Sequence, residues 1–397
     1  MDAGAKPAAR AERRERVLQL AQEVVRPAAN DVDSRARFPS EALAALRAER
    51  LLGIAVPVAL GGAGAGLSEL SDLCTLLGEQ CAATAMVFAM HQIQVACLVR
   101  HGQNLRFFRN YLSALCEHQY LIASVTSEVG IGGDLRSSIT AVEPQGPHAS
   151  GFILNKNAST ISYGEHTDDL LITARRNADA PANDQVLVLL KSGEYRLERT
   201  GVWDTLGMRG TCSPAFRMEG HGSDLEQVLP DFGSIASATM VPYSHALWAS
   251  VWLGIATDAV ARARSMVRAQ ARKTPGSVPP TALRLAEVNT ALEALRLMLR
   301  AFVDQFESAM AQPDGGAELF SSIGFALEAN QLKVSASEQA VKIVGQVMTL
   351  CGIAGYRNDS AQSIGRHLRD VYSSLLMIGN DRIHATNAQL LLVYKGH

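Results

Sequence analysis

Leu121-Ile122-Ala123-Ser124-Val125-Thr126-Ser127-Glu128-Val129-Gly130-Ile131-Gly132-Gly133-Asp134 is where the chain changes character. Its first half reads as a strand, and the residues from Ser127 on form a Gly-rich loop at the strand's exit. Glycine has no Cβ, so successive backbone N–H groups in such a loop can approach a planar or anionic ligand closely. A plain turn needs fewer glycines.

Upstream, everything to about Glu117 reads as helical. Val17, Leu18, Leu20, Ala21 and Val24 recur at helical spacing among Arg and Glu, and Pro27 is expected to end that helix. Ser40 is the expected N-cap of a second helix that Gly53 stops, and Ser68 that of a third. Residues 84–99 are apolar almost all round, the pattern of a helix buried on several sides. Downstream, short β-prone runs at 139–142, 151–154, 170–173, 186–190 and 215–218 have the spacing of a small β domain, with a hairpin loop at 177–184. After Pro242 helical periodicity returns over 244–271, 281–310 and 319–350, lengths that suit a bundle, and one last helix is expected from His367 toward Leu392.

The 397 residues suit two or three closely packed domains, and 47% hydrophobic with 19% charged residues describes a compact chain with apolar surface to spare for subunit contacts. A formal charge of -2 gives no general attraction to nucleic acid. The six cysteines lack a CxxC pair and read as reduced core residues. Histidines and cysteines are too dispersed for a metal site. Arg10 and Arg13-Arg14 are not followed by an apolar segment, so no secretory signal is read, and the longest apolar stretches, such as 246–256, are too short to span a bilayer. A cytoplasmic protein without a membrane partner is expected.

Gly61-Gly62-Ala63-Gly64-Ala65-Gly66 lies between helices, without the preceding strand that a dinucleotide fingerprint requires, and reads as an inter-helix loop. Ser127 to Asp134, in contrast, resembles the Thr-Glu-Pro-Gly-Ala-Gly-Ser-Asp signature of acyl-CoA dehydrogenases, which lines the flavin and the thioester end of the substrate. Five further segments follow in order. Ile161-Ser162-Tyr163-Gly164 stands where the family has Trp-Ile-Thr-Asn-Gly, and Leu206-Gly207-Met208-Arg209-Gly210-Thr211 is close to its second β-domain signature. Arg272-Lys273-Thr274-Pro275-Gly276 is similar to the element whose arginine reaches the flavin pyrophosphate of a neighbouring subunit, a task that suits the guanidinium fork. Ala340 to Gln346 resembles the segment that contacts FAD across the subunit interface, and Leu368-Arg369-Asp370 matches the pair preceding the catalytic turn.

The resemblance implies an α+β multidomain fold: an N-terminal helical domain (1–119), a central β domain (120–232) and a C-terminal four-helix-bundle domain (233–397). It also implies FAD as cofactor, held by Val125, Ser127, Gly133, Ser162, Arg272, Gly345, Gln346 and Asn380. Partners would be an acyl thioester and an electron-acceptor flavoprotein or flavin reductase, in a homodimer or homotetramer.

The chain departs from the family at the base. The family's Tyr-Glu-Gly-Thr turn falls on Met377-Ile378-Gly379-Asn380, and isoleucine cannot take a proton. The family's other base position also fails, since no carboxylate lies between Asp231 and Asp258, and no glutamate follows Glu338. General-base help contributes ~10²–10⁴-fold, so a substitute is expected or the chemistry differs. His245 and His91 are the candidates, against the alternative of satisfied core histidines; His384 and Asp381 stand behind them. The flavin-packing tryptophan is replaced by Thr160. Three functions remain open: thioester dehydrogenation with a histidine base, a reduced-flavin monooxygenase or N-oxygenase, and a flavin-binding partner protein without turnover.

Overall fold

The computed structural model describes residues 5–132, 134–145, 151–273 and 275–396, with side chains from residue 8 onward. Helix α1 (Ala5–Leu20) runs through a widened turn at Ala21–Val25 directly into α2 (Arg26–Ser34). Pro27 therefore does not end the first helix. The wide turn, closed by the Arg26 N–H on the Ala21 carbonyl, comes just before the proline and absorbs the loss of its N–H.

In α3 (Ser40–Ala48), Pro39 occupies the cap position and the Ser40 side chain makes no capping bond. In α4 (Leu67–Gln80), Ser68 is not the cap either, because its N–H donates to Glu307 Oε1 at 2.8 Å. A cap supplied from 239 residues away leaves no local signature. Helices α5 (Ala82–Gly102) and α6 (Arg106–His118) complete this part. With 21 residues, α5 is long and apolar enough to cross a membrane, longer than the sequence reading allowed. It is instead the central core helix, with 89% of its most apolar window buried.

The β region holds two four-stranded sheets. In chain order its strands are β1 (Ile122–Val125), β2 (Glu143–Pro144), β3 (Phe152–Ala158), β4 (Asp169–Arg175), β5 (Gln185–Leu190), β6 (Tyr195–Arg199), β7 (Phe216–Gly222) and β8 (Val228–Leu229). One sheet runs β1-β4-β5-β8, with β1 parallel to β4; the other runs β2-β3-β7-β6, all antiparallel. Alternation along β3 and β7 buries one face of the second sheet. The run at 139–142 forms only an isolated pairing of Ala141 with Arg175, and β6, whose charged residues hide its period, was not expected.

Then follow α7 (Phe232–Ile235), α8 (Val241–Lys273), α9 (Pro280–Met310), α10 (Ala317–Phe320), α11 (Ile323–Cys351), α12 (Ile353–Tyr356), α13 (Gly365–Tyr372) and α14 (Asn380–Val393). Helices α8, α9 and α11 pack side by side, with α14 on α11. The expected single helix from His367 is broken into α13 and α14 by a turn in which Ile378 takes φ 52°. The helical, β, helical order is the α+β multidomain architecture predicted above.

Two close approaches bind the parts together. A Cβ on Gly254 of α8 would lie 2.4 Å from the Thr75 carbonyl oxygen of α4, so glycine lets these helices touch backbone to backbone. A Cβ on Gly207 would lie 2.1 Å from the Arg369 carbonyl oxygen, while the Met208 N–H donates to Asp370 Oδ1 at 2.7 Å. The second β-domain motif thus docks on α13.

Candidate functional site

The exit of β1 and the loops around 160 and 211 come together. Val125, buried, ends β1 beside Ile172. Just beyond it, Ser127 accepts a hydrogen bond from Thr160 Oγ1 at 3.2 Å. Ser162 Oγ accepts from Ser213 Oγ at 2.9 Å, and Ser213 meets Thr211 Oγ1 at 2.9 Å. Among the described residues, the backbone N–H groups of Ser127 and Ser162 have no acceptor. Gly133, expected here, lies outside the described residues.

Glu128 turns inward. Its carboxylate accepts from Ser138, Ile139 and both the N–H and hydroxyl of Thr140, with the Lys156 ammonium 3.6 Å away. Burial pushes its pKa up, but the Lys156 charge and these donors outweigh that and hold the carboxyl below its ordinary range.

At the turn where the family carries its base, the structure places a buried cation. Lys333 of α11, 0% exposed, donates to the carbonyls of Ser374 at 3.0 Å and Ile378 at 2.7 Å and to Asn380 Oδ1 at 2.6 Å. Its Nζ lies 5.8 Å from the centre of the Trp252 ring. Burial lowers its pKa to about 8, with Glu338 opposing. The Asn380 side chain is accordingly committed to the protein: its amide nitrogen donates to Ser337 Oγ at 3.1 Å. Sequence reasoning missed Lys333. The available signal was its place in an otherwise apolar stripe, one turn after Ala329 and directly following Leu332, both buried.

The two histidines separate clearly. His91 is fully buried; its Nε2 meets the Leu52 carbonyl at 2.8 Å and its Nδ1 accepts the Ile122 N–H at 3.0 Å. Both nitrogens are used, so the expectation of a catalytic base at His91 is corrected: it ties α5 to β1 and to the chain after α3. In His245, Nδ1 donates to the Ala329 carbonyl at 2.9 Å, and Nε2 has no partner among the described residues. Burial, with the Lys333 charge adding to it and the Ala329 bond opposing, lowers its pKa to about 4. His384 and Asp381 are exposed on α14.

Arg272, exposed near the end of α8, makes no ion pair within the protomer among the described residues. Gly345 and Gln346 are half-buried on α11, and a Cβ on Gly345 would meet open space. Among the described residues, no hydrogen bond or ion pair links these three to Ser127 or Ser162. No group of three or more metal-ligating side chains occurs among the described residues.

The residues present fit a flavin. Its pyrimidine edge carries carbonyl acceptors, and two unsatisfied backbone donors stand at adjoining loop ends beside an apolar strand. Comparison with known proteins agrees. Residues 8–118 match the model of the acyl-CoA dehydrogenase N-terminal domain, and residues 236–389 that of the acyl-CoA dehydrogenase C-terminal domain. The chain belongs to the acyl-CoA dehydrogenase family of flavoproteins. It is 23% identical over 372 residues to cyclohex-1-ene-1-carbonyl-CoA dehydrogenase of Geobacter metallireducens, covering 92% of this chain and 93% of that one. In fold it is similar to butyryl-CoA dehydrogenase of Megasphaera elsdenii, with TM-score 0.79 and 18% identity over 96% of this chain and 98% of that one. It is equally similar to a nitrososynthase of Micromonospora carbonacea var. africana, with TM-score 0.80 and 18% identity over 97% of each chain.

Proposed function

We propose that this protein is an FAD-dependent oxidoreductase that dehydrogenates an acyl thioester between its α and β carbons, with His245 receiving the α-proton. The observation that carries the reading is the His245 ring. Its Nδ1–H is anchored on the Ala329 carbonyl, which fixes the neutral tautomer and leaves the Nε2 lone pair open. The Cα–H bond breaks to give its proton to Nε2, the hydrogen on Cβ departs with its electron pair, and a C=C bond forms. A bound flavin supplies the two-electron acceptor for that hydride.

The N–H groups of Ser127 and Ser162 would hold the pyrimidine edge of the flavin, with Val125 beside it. Arg272, without an ion pair among the described residues, and Gly345-Gln346 reach a neighbour's cofactor, which requires a homodimer or homotetramer. An electron-acceptor flavoprotein then reoxidises the site.

Anaerobic titration of the FAD-loaded protein with a panel of acyl-CoA thioesters, following the oxidised flavin band, tests this. Wild type bleaches, and His245→Gln keeps its flavin spectrum but does not bleach. Normal bleaching by that variant removes His245 from the chemistry.

A second reading, a reduced-flavin-dependent monooxygenase or N-oxygenase, is favoured by Ile378 and the Lys333 ammonium at the turn, where a proton-abstracting carboxylate is replaced by an apolar group over a cation. Absence of bleaching across the panel, with oxygen consumption once reduced flavin is supplied, selects it.

A further inference from the structure

We propose that Lys333 is the positioning residue of this site: its ammonium ties the 374–380 turn to α11 and shares one buried seam with the His245 imidazole, where a second positive charge is disfavoured and Nε2 remains an acceptor. The inference rests on the reading that Nε2 receives a proton.

The geometry starts with two helices. On α8, His245 and Trp252 are seven residues apart and share a face; on α11, Ala329 and Lys333 are one turn apart. His245 Nδ1 is bonded to the Ala329 carbonyl, and Lys333 Nζ lies over Trp252. Imidazole and ammonium therefore occupy one buried seam between α8 and α11.

An ammonium has three donors, and here it has three acceptors, Ser374 O, Ile378 O and Asn380 Oδ1. A fully satisfied cation keeps its charge where a bare one would shed its proton. Two of the acceptors are carbonyls of the turn, so the cation also fixes the left-handed Ile378. A second positive charge in the same seam is opposed by the low local dielectric.

The other titratable groups nearby do not offset it. On α11, Glu328 has one oxygen enclosed without a partner, and Glu338 acts on Lys333. On α14, Asp381 is exposed; on α5, Arg100 acts on Tyr243 rather than on His245, and Glu307 of α9 likewise. Among the described residues, Lys333 is the charged side chain whose charge acts on His245.

The test is a titration of the ring C2–H resonances by NMR on FAD-loaded protein with labelled histidine, the His245 signal being assigned through His245→Gln. In wild type the signal stays neutral down to pH 5. Lys333→Met raises the midpoint measurably, burial still holding it below the ordinary histidine value, and Lys333→Arg restores the wild-type curve. If Lys333→Met does not fold, Asn380→Asp serves: it sets a carboxylate against the retained ammonium and raises the midpoint in the same direction. An unchanged midpoint in Lys333→Met, or in Asn380→Asp where that variant has to stand in, overturns the proposal. The titration needs no turnover. Failure of thioesters to bleach the flavin would therefore remove the dehydrogenase reading while leaving the Lys333–His245 coupling to be read separately.

Discussion

His91→Gln should flatten the acid sensitivity of this fold, by an amount that follows from the structure. His91 donates through Nε2 to Leu52 O and accepts at Nδ1 from the Ile122 N–H. A second proton would set an Nδ1–H against that N–H. Burial, with the Arg47 charge adding to it and the Leu52 bond opposing, pushes the pKa down from 6.5 to about 4. Between those values the unfolded chain takes up a proton that the native state refuses. The stability contribution is fully present above pH 6.5 and is lost as pH falls toward 4. From pH 7 to pH 5 the loss due to His91 is about 2 kcal/mol, at 1.36 kcal/mol per unit. Glutamine offers an NH2 donor group and a carbonyl acceptor, so it can stand in for both bonds at a cost of about 1 kcal/mol at pH 7 yet cannot titrate. Urea unfolding followed by far-UV circular dichroism at both pH values is the assay. Wild type should lose about 2 kcal/mol more than the variant on going to pH 5. His245 and the oppositely shifted Asp370 are present in both proteins and cancel in the difference. Equal losses would refute the assignment of a neutral, doubly bonded His91.

Two further outcomes are expected. Arg272→Ala should cut FAD retention on dialysis severely while leaving the melting temperature of the flavin-free protein unchanged, since Arg272 is exposed and makes no ion pair among the described residues; undiminished flavin content would remove its proposed pyrophosphate role. Gly254→Ala should destabilise the fold by at least ~1–3 kcal/mol in denaturant melts, because its Cβ would press on the Thr75 carbonyl and the Glu79 N–H of α4; a neutral result would mean that α4 and α8 can separate without cost.

What the sequence made legible were features carried by periodicity: the long helices α8, α9 and α11, and the alternating or continuously apolar strands β3, β4, β5 and β7. Two of the misses originate in partners far along the chain: Glu307 caps α4, and Ile378 is held left-handed beneath a lysine 45 residues earlier. The third is local, a widened turn that carries α1 past Pro27. At the site, residue type singled out His91 and His245 equally, and only the hydrogen bonds of the fold separate them. The same holds for Asn380, whose position resembles the family's turn but whose side chain faces Lys333 and Ser337.

The carboxylates close to these motifs are held in structural work, which sharpens the case for an unusual site. Glu128 belongs to the Gly-rich loop itself, yet its oxygens take donors from Ser138, Ile139 and Thr140 beside the Lys156 ammonium, whose own hydrogens go to Thr173. Pulling it out to act as a base would leave Lys156, 2% exposed, without its counter-charge, and breaking a buried pair on one side costs ~3–5 kcal/mol. Asp370 is the other buried acid next to a family motif, pushed up to about 6 by burial, with Arg366 and the Met208 N–H opposing. That N–H bond locks the β-domain loop onto α13, so its ionisation serves the docking of one domain on another. With both acids committed, His245 Nε2, which has no partner among the described residues, is the acceptor that the proposed dehydrogenation requires, and the Lys333 ammonium lies in the same seam.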